Sequence, residues 1–598
     1  MGQRANTRTM LVLIAAGLPA AMPMAARAQD DPLEQPWDGE QTFHSLLGVG
    51  EAWRAIGVED RGLLGISVAA AGDVNGDGVD DAIFGAPQVD ADGRLNAGEA
   101  YVVFGVAGRP PALLAMSDLD GDNGFVFRGR AFGGWLGEVG GAGDLNGDGI
   151  DDVIIGASLA DASGSASGES YVVFGRRGGF PAVLGPDDLD GTNGFSLPGA
   201  APGDRSGDSV AGAGDLNGDG VDDAIIGASG VGRPSFHEGG AYVVFGSRDG
   251  FDAVLPLADL DGTNGFLLAG AGADRTLGNA VAAAGDVNGD GVDDVIVGDH
   301  LGGLGGSAYV VFGRNDGFAA VLSTSQLDGT NGFAMRGSEM EDLAGAAVAG
   351  AVDLNGDGID DVAVGAPYAG ARGEGSHQQG YAYVVFGRRG AFPASIALGE
   401  LDGGNGFRIE GATSVDTAGK SLAGGGDLNG DGFDDLIVGA PGTGYSYACY
   451  FGCYYLAPEG SAFVIYGRDT GFDAVVDLAD ASADGVVRFD GLNDSAMATS
   501  LAGRVDFNAD GRPDIVLGAI DGLTDETDGP GAAMVIYGRG PKPCEADLDG
   551  DGDLTIFDFL AFQNLFDAGD PAADFDGDGS LTLFDFLAFQ NAFDAGCP

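Results

Sequence analysis

The chain has 598 residues and a formal net charge of −63, with 91 acidic residues against 28 basic ones. Nucleic acids and anionic membrane surfaces would repel such a chain, so its charge argues against both as partners. Glycine accounts for 113 residues without a Gly-X-Y period, which excludes collagen and favours turn-rich β structure.

Residues 1–28 have the pattern of a secretory signal peptide. Arg4 and Arg8 precede the apolar run from Met10 to Leu18, and Ala26-Arg27-Ala28 offers a cleavage site between small residues. An N-terminal membrane anchor is the alternative, although the run is short for a membrane span. We expect an exported protein without a membrane span, either free or bound to the cell surface.

An acidic loop with the pattern D-x-N-x-D-G-x-x-D occurs seven times. Carboxylates or amides at positions 1, 3, 5 and 9, a backbone carbonyl at 7 and a glycine at 6 would form an oxygen cage of the size that Ca²⁺ prefers. The alternative is a set of Asx-type turns without metal, and a bound ion could be purely structural. The predicted ligands are Asp73, Asn75, Asp77, Val79, Asp81, Asp144, Asn146, Asp148, Ile150, Asp152, Asp215, Asn217, Asp219, Val221, Asp223, Asp286, Asn288, Asp290, Val292, Asp294, Asp353, Asn355, Asp357, Ile359, Asp361, Asp427, Asn429, Asp431, Phe433, Asp435, Asp506, Asn508, Asp510, Arg512 and Asp514.

The loops begin 67 to 79 residues apart, an interval that suits a four-stranded propeller blade. Each repeat has four apolar runs; in the second repeat they are Leu136 to Ala142, Asp152 to Gly156, Ser170 to Gly175 and Gly194 to Leu197. The first run is small and glycine-rich, as strands crowded around a central axis require. The middle runs are continuously apolar, as strands buried on both faces are. An all-β, seven-bladed propeller over residues 44–540 is therefore predicted.

The propeller is predicted to close through its N-terminus. The seventh repeat ends at Tyr537-Gly538 without an outer strand of its own. Residues 52–57 stand at the right offset to supply that strand, and residues 29–43 before the propeller are assigned to a linker. Such a clasp would hide two open sheet edges.

These repeats resemble the FG-GAP repeats of the integrin α-subunit head, which is a seven-bladed β-propeller. The resemblance lies in Leu64-Gly65-Ile66-Ser67-Val68-Ala69, in Gly85-Ala86-Pro87 and in Tyr101-Val102-Val103-Phe104, and it recurs to residue 538. It implies a calcium-binding adhesion or display head that binds an unknown protein or glycan.

Four cysteines agree with an oxidising compartment. Cys449 and Cys453 lie in one tyrosine-rich loop and are expected to pair. Cys544 and Cys597 bracket the last segment and are expected to pair as well. A metal site is the alternative for each pair.

Residues 541–598 contain two twelve-residue acidic loops, Asp547 to Asp558 and Asp574 to Asp585, each followed by an apolar helical pattern. Together they resemble a dockerin, a small calcium-binding module, which implies docking onto a cohesin-like receptor. Its usual recognition positions correspond to Ile556, Phe557, Leu583 and Phe584. The predicted ligands are Asp547, Asp549, Asp551, Asp553, Thr555, Asp558, Asp574, Asp576, Asp578, Ser580, Thr582 and Asp585.

The aromatic residues of this module have two interpretations. Core packing is favoured for Phe559, Phe562, Phe586 and Phe589, because so small a module needs most of its apolar groups inside. Recognition and packing remain open for Phe557 and Phe584. The two loops raise the expected calcium content of the chain to about nine ions.

The sequence favours a monomeric binding protein over an enzyme. His44, His237, His300 and His377 are scattered, and the chain has no Gly-x-Ser-x-Gly nucleophile motif. The alternative is a hydrolase of polysaccharides or glycolipids, since dockerins accompany such enzymes and phospholipase-D-like proteins carry FG-GAP propellers. The candidate contact loops are Val231 to Glu238, His300 to Gly306, Tyr368 to Gln379 and Gly442 to Glu459, with Tyr445, Tyr447, Tyr450, Tyr454 and Tyr455 as the favoured patch.

Overall fold

The computed structural model forms seven sheets, one for each repeat, arranged as a seven-bladed β-propeller. This confirms the fold predicted from the repeat length. The described residues are 40–42, 46–47, 52–59, 61–108, 113–232, 238–272, 276–339, 342–370, 378–413, 416–442, 460–480, 485–491, 497–519, 530–539, 548, 556–568, 573, 575, 582, 586–590 and 593.

Each blade has four antiparallel strands, numbered here from the propeller axis outward. Strands 1 are Val68–Gly72, Leu136–Gly143, Ser206–Gly214, Val281–Gly285, Ala347–Val352, Ser421–Gly426 and Met497–Val505. Strands 2 are Asp81–Ala86, Asp152–Ala157, Asp223–Ala228, Asp294–Asp299, Asp361–Ala366, Asp435–Ala440 and Asp514–Ala519. Strands 3 are Glu99–Val103, Glu169–Val173, Gly240–Val244, Ser307–Val311, Tyr381–Val385, Ser461–Ile465 and Ala532–Ile536. Strands 4 of blades 1 to 6 are Gly124–Arg128, Gly194–Pro198, Gly265–Ala269, Gly332–Arg336, Gly406–Glu410 and Val486–Asp490.

The first strands contact one another around the axis, and the ring closes between blades 1 and 7. This crowding explains their small residues. A Cβ atom on Gly140 would lie 2.8 Å from the carbonyl oxygen of Val210 in blade 3, and one on Gly141 would lie 2.5 Å from that of Ala70 in blade 1. Larger side chains at these positions would therefore push neighbouring blades apart.

The N-terminal segment supplies the outer strand of the last blade. Ala52–Ile56 pairs antiparallel with Ala532–Ile536, and Trp53 lies opposite Val535. The Trp53 ring packs 5.4 Å from that of Phe507 in blade 7 and 6.1 Å from that of Phe84 in blade 1. The first and last blades therefore share one buried aromatic side chain.

The blades differ from the predicted four strands because six of the seven sheets have a fifth strand, parallel to strand 4. In blades 1, 3, 4 and 5, the fifth strand comes from the connection between strands 3 and 4 of the next blade. In blade 7, it comes from the same connection of blade 1. In blade 6, Glu40–Thr42 supplies it, so part of the segment assigned to a linker is a strand. The fifth strands are Val183–Leu184, Val321–Ser323, Ser395–Ala397, Val475–Asp477, Glu40–Thr42 and Leu113–Ala115.

Short 3₁₀ helices lie in the same connections or in the turns that follow strand 2. They are Ala91–Gly93, Met116–Asp118, Pro186–Asp188, Leu257–Asp259, Thr324–Gln326, Leu398–Glu400 and Leu478–Asp480. In four of these helices the first residue is buried beneath the connection, namely Met116, Pro186, Leu257 and Leu398. The connections are thus anchored to the blades by both backbone pairing and apolar burial.

In the C-terminal region, Ile556–Ala568 forms an α-helix. The ring of Phe562 stacks on that of Phe589 with centroids 4.4 Å apart, and both side chains are buried. Phe559 and Phe586 are half-buried and pack against this pair. Core packing is therefore confirmed for these four residues. The backbone of Ile556 and Phe557 belongs to the helix, whereas Leu583 and Phe584 lie outside the described residues.

Candidate metal centres and the opposite face

The acidic loops connect strands 1 and 2, so all seven lie on one face of the propeller, here the acidic-loop face. In the first loop, the two carboxylate oxygens of Asp73 accept the N–H groups of Asp77 and Gly78 at 2.9 and 2.8 Å. Asp77 in turn accepts the N–H of Val79 at 3.0 Å. The positive φ angles of the two loop glycines, Gly76 (70°) and Gly78 (87°), allow this tight turn.

The ninth loop residue is a buried carboxylate in every blade. The side-chain oxygens of Asp81 accept the N–H of Gly105 at 2.9 Å and that of Val74 at 3.0 Å. The same pair of acceptor contacts recurs in blades 2, 4, 5, 6 and 7. In blade 3, Oδ2 of Asp223 is buried and accepts no hydrogen bond. In the other six blades this oxygen accepts the N–H of the second loop residue, so in blade 3 it is available to a bound cation.

Burial controls the electrostatics of these carboxylates. Burial, helped by the nearby carboxylates of Asp73 and Asp77 and opposed by the backbone hydrogen bonds, raises the pKa of Asp81 to about 8. The pKa of Asp152, Asp223 and Asp294 is also raised to about 8, with burial as the first cause. A bound divalent cation would counter this accumulation of negative charge.

The seventh loop departs from the others. Ala509 stands at its fourth position with φ 54°, where the other loops have glycine. Arg512 stands at position 7, and its guanidinium lies 3.5 Å from the carboxylate of Asp510, a predicted ligand. The Arg512 guanidinium therefore places a positive charge beside the predicted ligands of blade 7.

The predicted ligands of each propeller loop lie together in one turn. Across the residues that the structure describes, however, no three acidic, histidine or cysteine side chains gather closely enough to form a metal site by themselves. The donor set that the sequence predicts also needs the amide at position 3 and the carbonyl at position 7. Its hard oxygen atoms suit Ca²⁺.

Several predicted residues lie outside the described part of the chain. These are Cys449, Cys453, Cys544, Cys597, the tyrosine-rich loop, His44, His237, His377 and the C-terminal loop ligands except Asp558 and Thr582. His300 is described: its Nδ1 lies 3.2 Å from the Thr276 hydroxyl, and burial followed by the charge of Lys420 lowers its pKa.

The opposite face carries an apolar patch that sequence reasoning missed, formed by Leu95, Phe132 and Trp135. These side chains are 50%, 76% and 40% exposed. Two backbone hydrogen bonds join their loops: Gly133 N–H donates to the Leu95 carbonyl at 2.9 Å, and Trp135 N–H donates to the Asn96 carbonyl at 3.2 Å. Clustered exposed apolar side chains are a feature of interaction sites.

Comparison among the repeats could have revealed this patch. Pro202 corresponds to Phe132, and the equivalents of Trp135 in repeats 1 and 3 to 6 are Leu63, Arg205, Thr276, Leu343 and Thr417. The backbone is the same in both turns, since φ is 54° at Trp135 and at Arg205. The turn itself therefore does not require an aromatic residue.

The opposite face also has a polar cavity of about 200 Å³ at blade 5. The guanidinium of Arg408 lies 4.9 Å from the centroid of the Tyr381 ring and pairs with Glu410. In blades 1 and 2 a glutamate stands where Tyr381 stands; in blade 1 it is Glu99, which binds Tyr101 and Arg128. The cavity is lined by Ser338, Glu339, Asp342, Gly370, Tyr381, Tyr383, Arg408 and Glu410.

Comparison with known proteins identifies the repeats. A family model described as FG-GAP repeat matches residues 64–103, 136–173, 344–385 and 418–452. These four segments are similar to FG-GAP repeats and together cover less than half of the chain. Each begins in or just before strand 1 of its blade and contains the acidic loop and strand 2, so the FG-GAP match covers the part of the blade that holds the predicted ligands.

Two groups of curated proteins are similar to this chain. Integrin alpha pat-2 of Caenorhabditis briggsae is 32% identical over 252 residues, which is 40% of this chain and 18% of that protein. Integrin alpha-6 of Gallus gallus is 31% identical over 179 residues. Phosphatidylinositol-glycan-specific phospholipase D of Bos taurus is 35% identical over 112 residues, 19% of this chain and 12% of that protein. The chain therefore matches less than a fifth of the length of these relatives.

In the described part of the chain, no helix has both the length and the apolar character needed to cross a membrane.

Proposed function

We propose that the protein is a calcium-stabilised, non-enzymatic binding protein whose propeller acts as an extracellular display head. The observation that carries this proposal is that the two faces of the propeller carry different side chains. One face holds seven acidic loops, and the other exposes apolar side chains and a polar cavity. The similarity to integrin α subunits supports an adhesion or binding role.

Calcium in the acidic loops is expected to fix the turn between strands 1 and 2. Asp73, Asp77 and Asp81 would hold the ion through carboxylates, Asn75 through its amide oxygen and Val79 through its carbonyl. The ion would supply the positive charge that lets a buried Asp81 stay ionised. Elemental analysis after dialysis should find about nine ions per chain, and fewer than six would contradict the predicted cages.

Ligand binding is assigned to the opposite face. The double variant Phe132→Ala and Trp135→Ala should lose at least tenfold in affinity for the propeller ligand, since exposed aromatic anchors dominate binding energy. The matched control is Val321→Ala, a 54% exposed residue on the fifth strand of blade 3. Arrays of immobilised matrix proteins and glycans would provide the assay. Equal binding by the double variant and the control would contradict this assignment.

The C-terminal module is proposed as a tether to a cohesin-like receptor. Its two apolar helical segments pack through Phe562 and Phe589, as two loop-helix units joined back to back would. The test is to delete residues 544–598, confirm export and compare cell-associated with free protein. Undiminished surface retention would contradict a tether.

A hydrolase is the second candidate, because the similarity to phospholipase D covers part of the propeller. Purified full-length protein should be assayed on glycosylphosphatidylinositol lipids and polysaccharides. Turnover abolished by one substitution outside the acidic loops would favour the enzyme over the binding protein.

A further inference from the structure

The eighth residue of the acidic loop has no place in the predicted calcium cage, yet it is aspartate in six of the seven loops. In each of these six loops, the Oδ2 atom of this aspartate accepts a hydrogen bond across the blade boundary, from the backbone N–H of the first loop residue of the preceding blade. The bonds are Asp73 to Asp151, Asp144 to Asp222, Asp215 to Asp293, Asp286 to Asp360, Asp353 to Asp434 and Asp506 to Asp80, with lengths of 2.8 to 3.2 Å.

The residue before the loop confirms how closely this carboxylate approaches. A Cβ atom on Gly72 would lie 2.2 Å from Oδ2 of Asp151, and one on Gly143 would lie 2.3 Å from Oδ2 of Asp222. Both glycines also have positive φ, 70° and 68°. Gly214 and Gly285 make the same approach in blades 3 and 4, whereas Val352 and Val505 precede the loops of blades 5 and 7. A position without a side chain therefore receives the neighbouring carboxylate at four of the six boundaries.

The seventh boundary is different. Blade 7 has Pro513 at loop position 8, and a proline side chain cannot accept the N–H of Asp427 in blade 6. There, Arg504 of blade 7 forms an ion pair with Asp434 of blade 6 instead. The series of inter-blade bonds is therefore continuous from blade 7 through blade 1 to blade 6 and is interrupted only between blades 6 and 7.

We propose that these aspartates couple the acidic loops, so that calcium bound in one loop favours calcium binding in the loop of the preceding blade. The inference rests on the proposed calcium binding. Asp151 stands between two predicted ligands, the carbonyl of Ile150 and the carboxylate of Asp152, so an ion in blade 2 restricts its movement. Its carboxylate then holds the backbone of Asp73, the first ligand of blade 1. The blade 1 loop consequently loses less conformational entropy when it binds its own ion.

The test is equilibrium dialysis of radioactive calcium against the full-length protein, combined with the calcium-induced rise in melting temperature. Asp151→Ala should raise the dissociation constant of at least one site fivefold or more and reduce the thermal shift. Asp151→Asn should stay within twofold of wild type, because its amide oxygen can accept the same N–H. Pro513→Ala is the matched control at the unlinked boundary and should change neither readout.

A second variant keeps the test independent of any folding defect at Asp151. Asp148→Ala removes a ligand of the blade 2 loop and should weaken a second site, in blade 1, besides abolishing its own. The coupling is overturned if Asp148→Ala affects only one site. It is also overturned if Asp151→Asn raises the calcium dissociation constant as much as Asp151→Ala does. A wild-type chain that binds no calcium would overturn the calcium proposal itself, whereas seven independent propeller sites would overturn only the coupling.

Discussion

Phe180 of blade 2 lies flat on Phe125 of blade 1, with ring centroids 4.5 Å apart and planes 13° apart. The guanidinium of Arg176 covers the Phe180 ring at 4.6 Å. Each Phe180 equivalent lies in a connection that crosses to the preceding blade, so the stack fastens neighbouring blades at their outer edge. The same stack recurs as Phe195 with Phe251, Phe266 with Phe318, Phe333 with Phe392 and Phe407 with Phe472.

Phe180→Ala should lower the free energy of unfolding by about 3–5 kcal/mol, because it leaves a cavity at a boundary between blades. Denaturation in urea with saturating calcium would measure the change. Phe132→Ala is the control, since that ring is exposed and its loss should change stability by about 0.5 kcal/mol or less. Equal effects of the two substitutions would show that the stack does not fasten the blades.

Gly85→Ala should destabilise the boundary between blades 1 and 2. A Cβ atom there would lie 1.8 Å from the carbonyl oxygen of Gly137, and backbone cannot yield as a flexible side chain can. We expect a loss of about 1–3 kcal/mol, the usual range for overpacking, measured by thermal unfolding. Gly404→Ala is the control, because its nearest neighbour would be an Asp402 side-chain oxygen at 3.4 Å. A stable Gly85→Ala variant would mean that the blades can separate without cost.

Calcium-free protein should become less stable as pH rises from 5 to 8. Folded Asp81 holds its proton up to its pKa of about 8, whereas the unfolded side chain loses it near the ordinary value of 3.8. The folded state therefore binds more protons in this window, and stability falls by up to about 1.4 kcal/mol per pH unit for each such group. Calcium should abolish the slope.

Urea unfolding at four pH values, with and without calcium, measures this dependence. Asp81→Asn should reduce the pH dependence of stability in calcium-free protein by the contribution of one carboxyl group. A calcium-free stability that rises between pH 5 and pH 8 would contradict the assigned shift.

Arg512→Val should strengthen calcium binding in blade 7, since valine occupies position 7 in other loops and the substitution removes a positive charge 3.5 Å from Asp510. We expect the weakest site of the chain to gain about tenfold or more in affinity. Arg504→Ala is the control, because this partly exposed arginine of blade 7 pairs with Asp434 and not with Asp510, and it should leave this site unchanged. Isothermal titration calorimetry would detect the gain, and an unchanged isotherm would rule out competition by Arg512.

Trp53→Ala should destabilise the closure of the ring by about 3–5 kcal/mol, because this side chain packs against both Phe84 and Phe507. It should also promote self-association, measured by light scattering, if the outer strand frays from Ala532–Ile536. Trp135→Ala removes the same kind of ring from an exposed site and serves as the control. Two equally stable variants would show that the N-terminal strand is dispensable for closure.

The sequence by itself determined the number and kind of blades. Small residues such as those of Val68–Gly72 and apolar runs such as Asp152–Ala157 repeat at a fixed interval, and such patterns reflect local burial that every blade shares. The glycines and aspartates of the loops follow the same logic, since a tight turn needs them within nine consecutive residues.

Tertiary structure alone decided the contacts between blades. Val183 and Leu184 form a two-residue strand against Val126 and Phe127, too short to leave a periodic pattern. The bond from Asp73 to Asp151 joins residues 78 positions apart, so the local sequence around either residue does not predict it. Likewise, Trp135 is exposed only because of where neighbouring loops lie. The local sequence pattern determines the secondary structure of a segment, whereas its contacts with other blades depend on closure of the propeller ring.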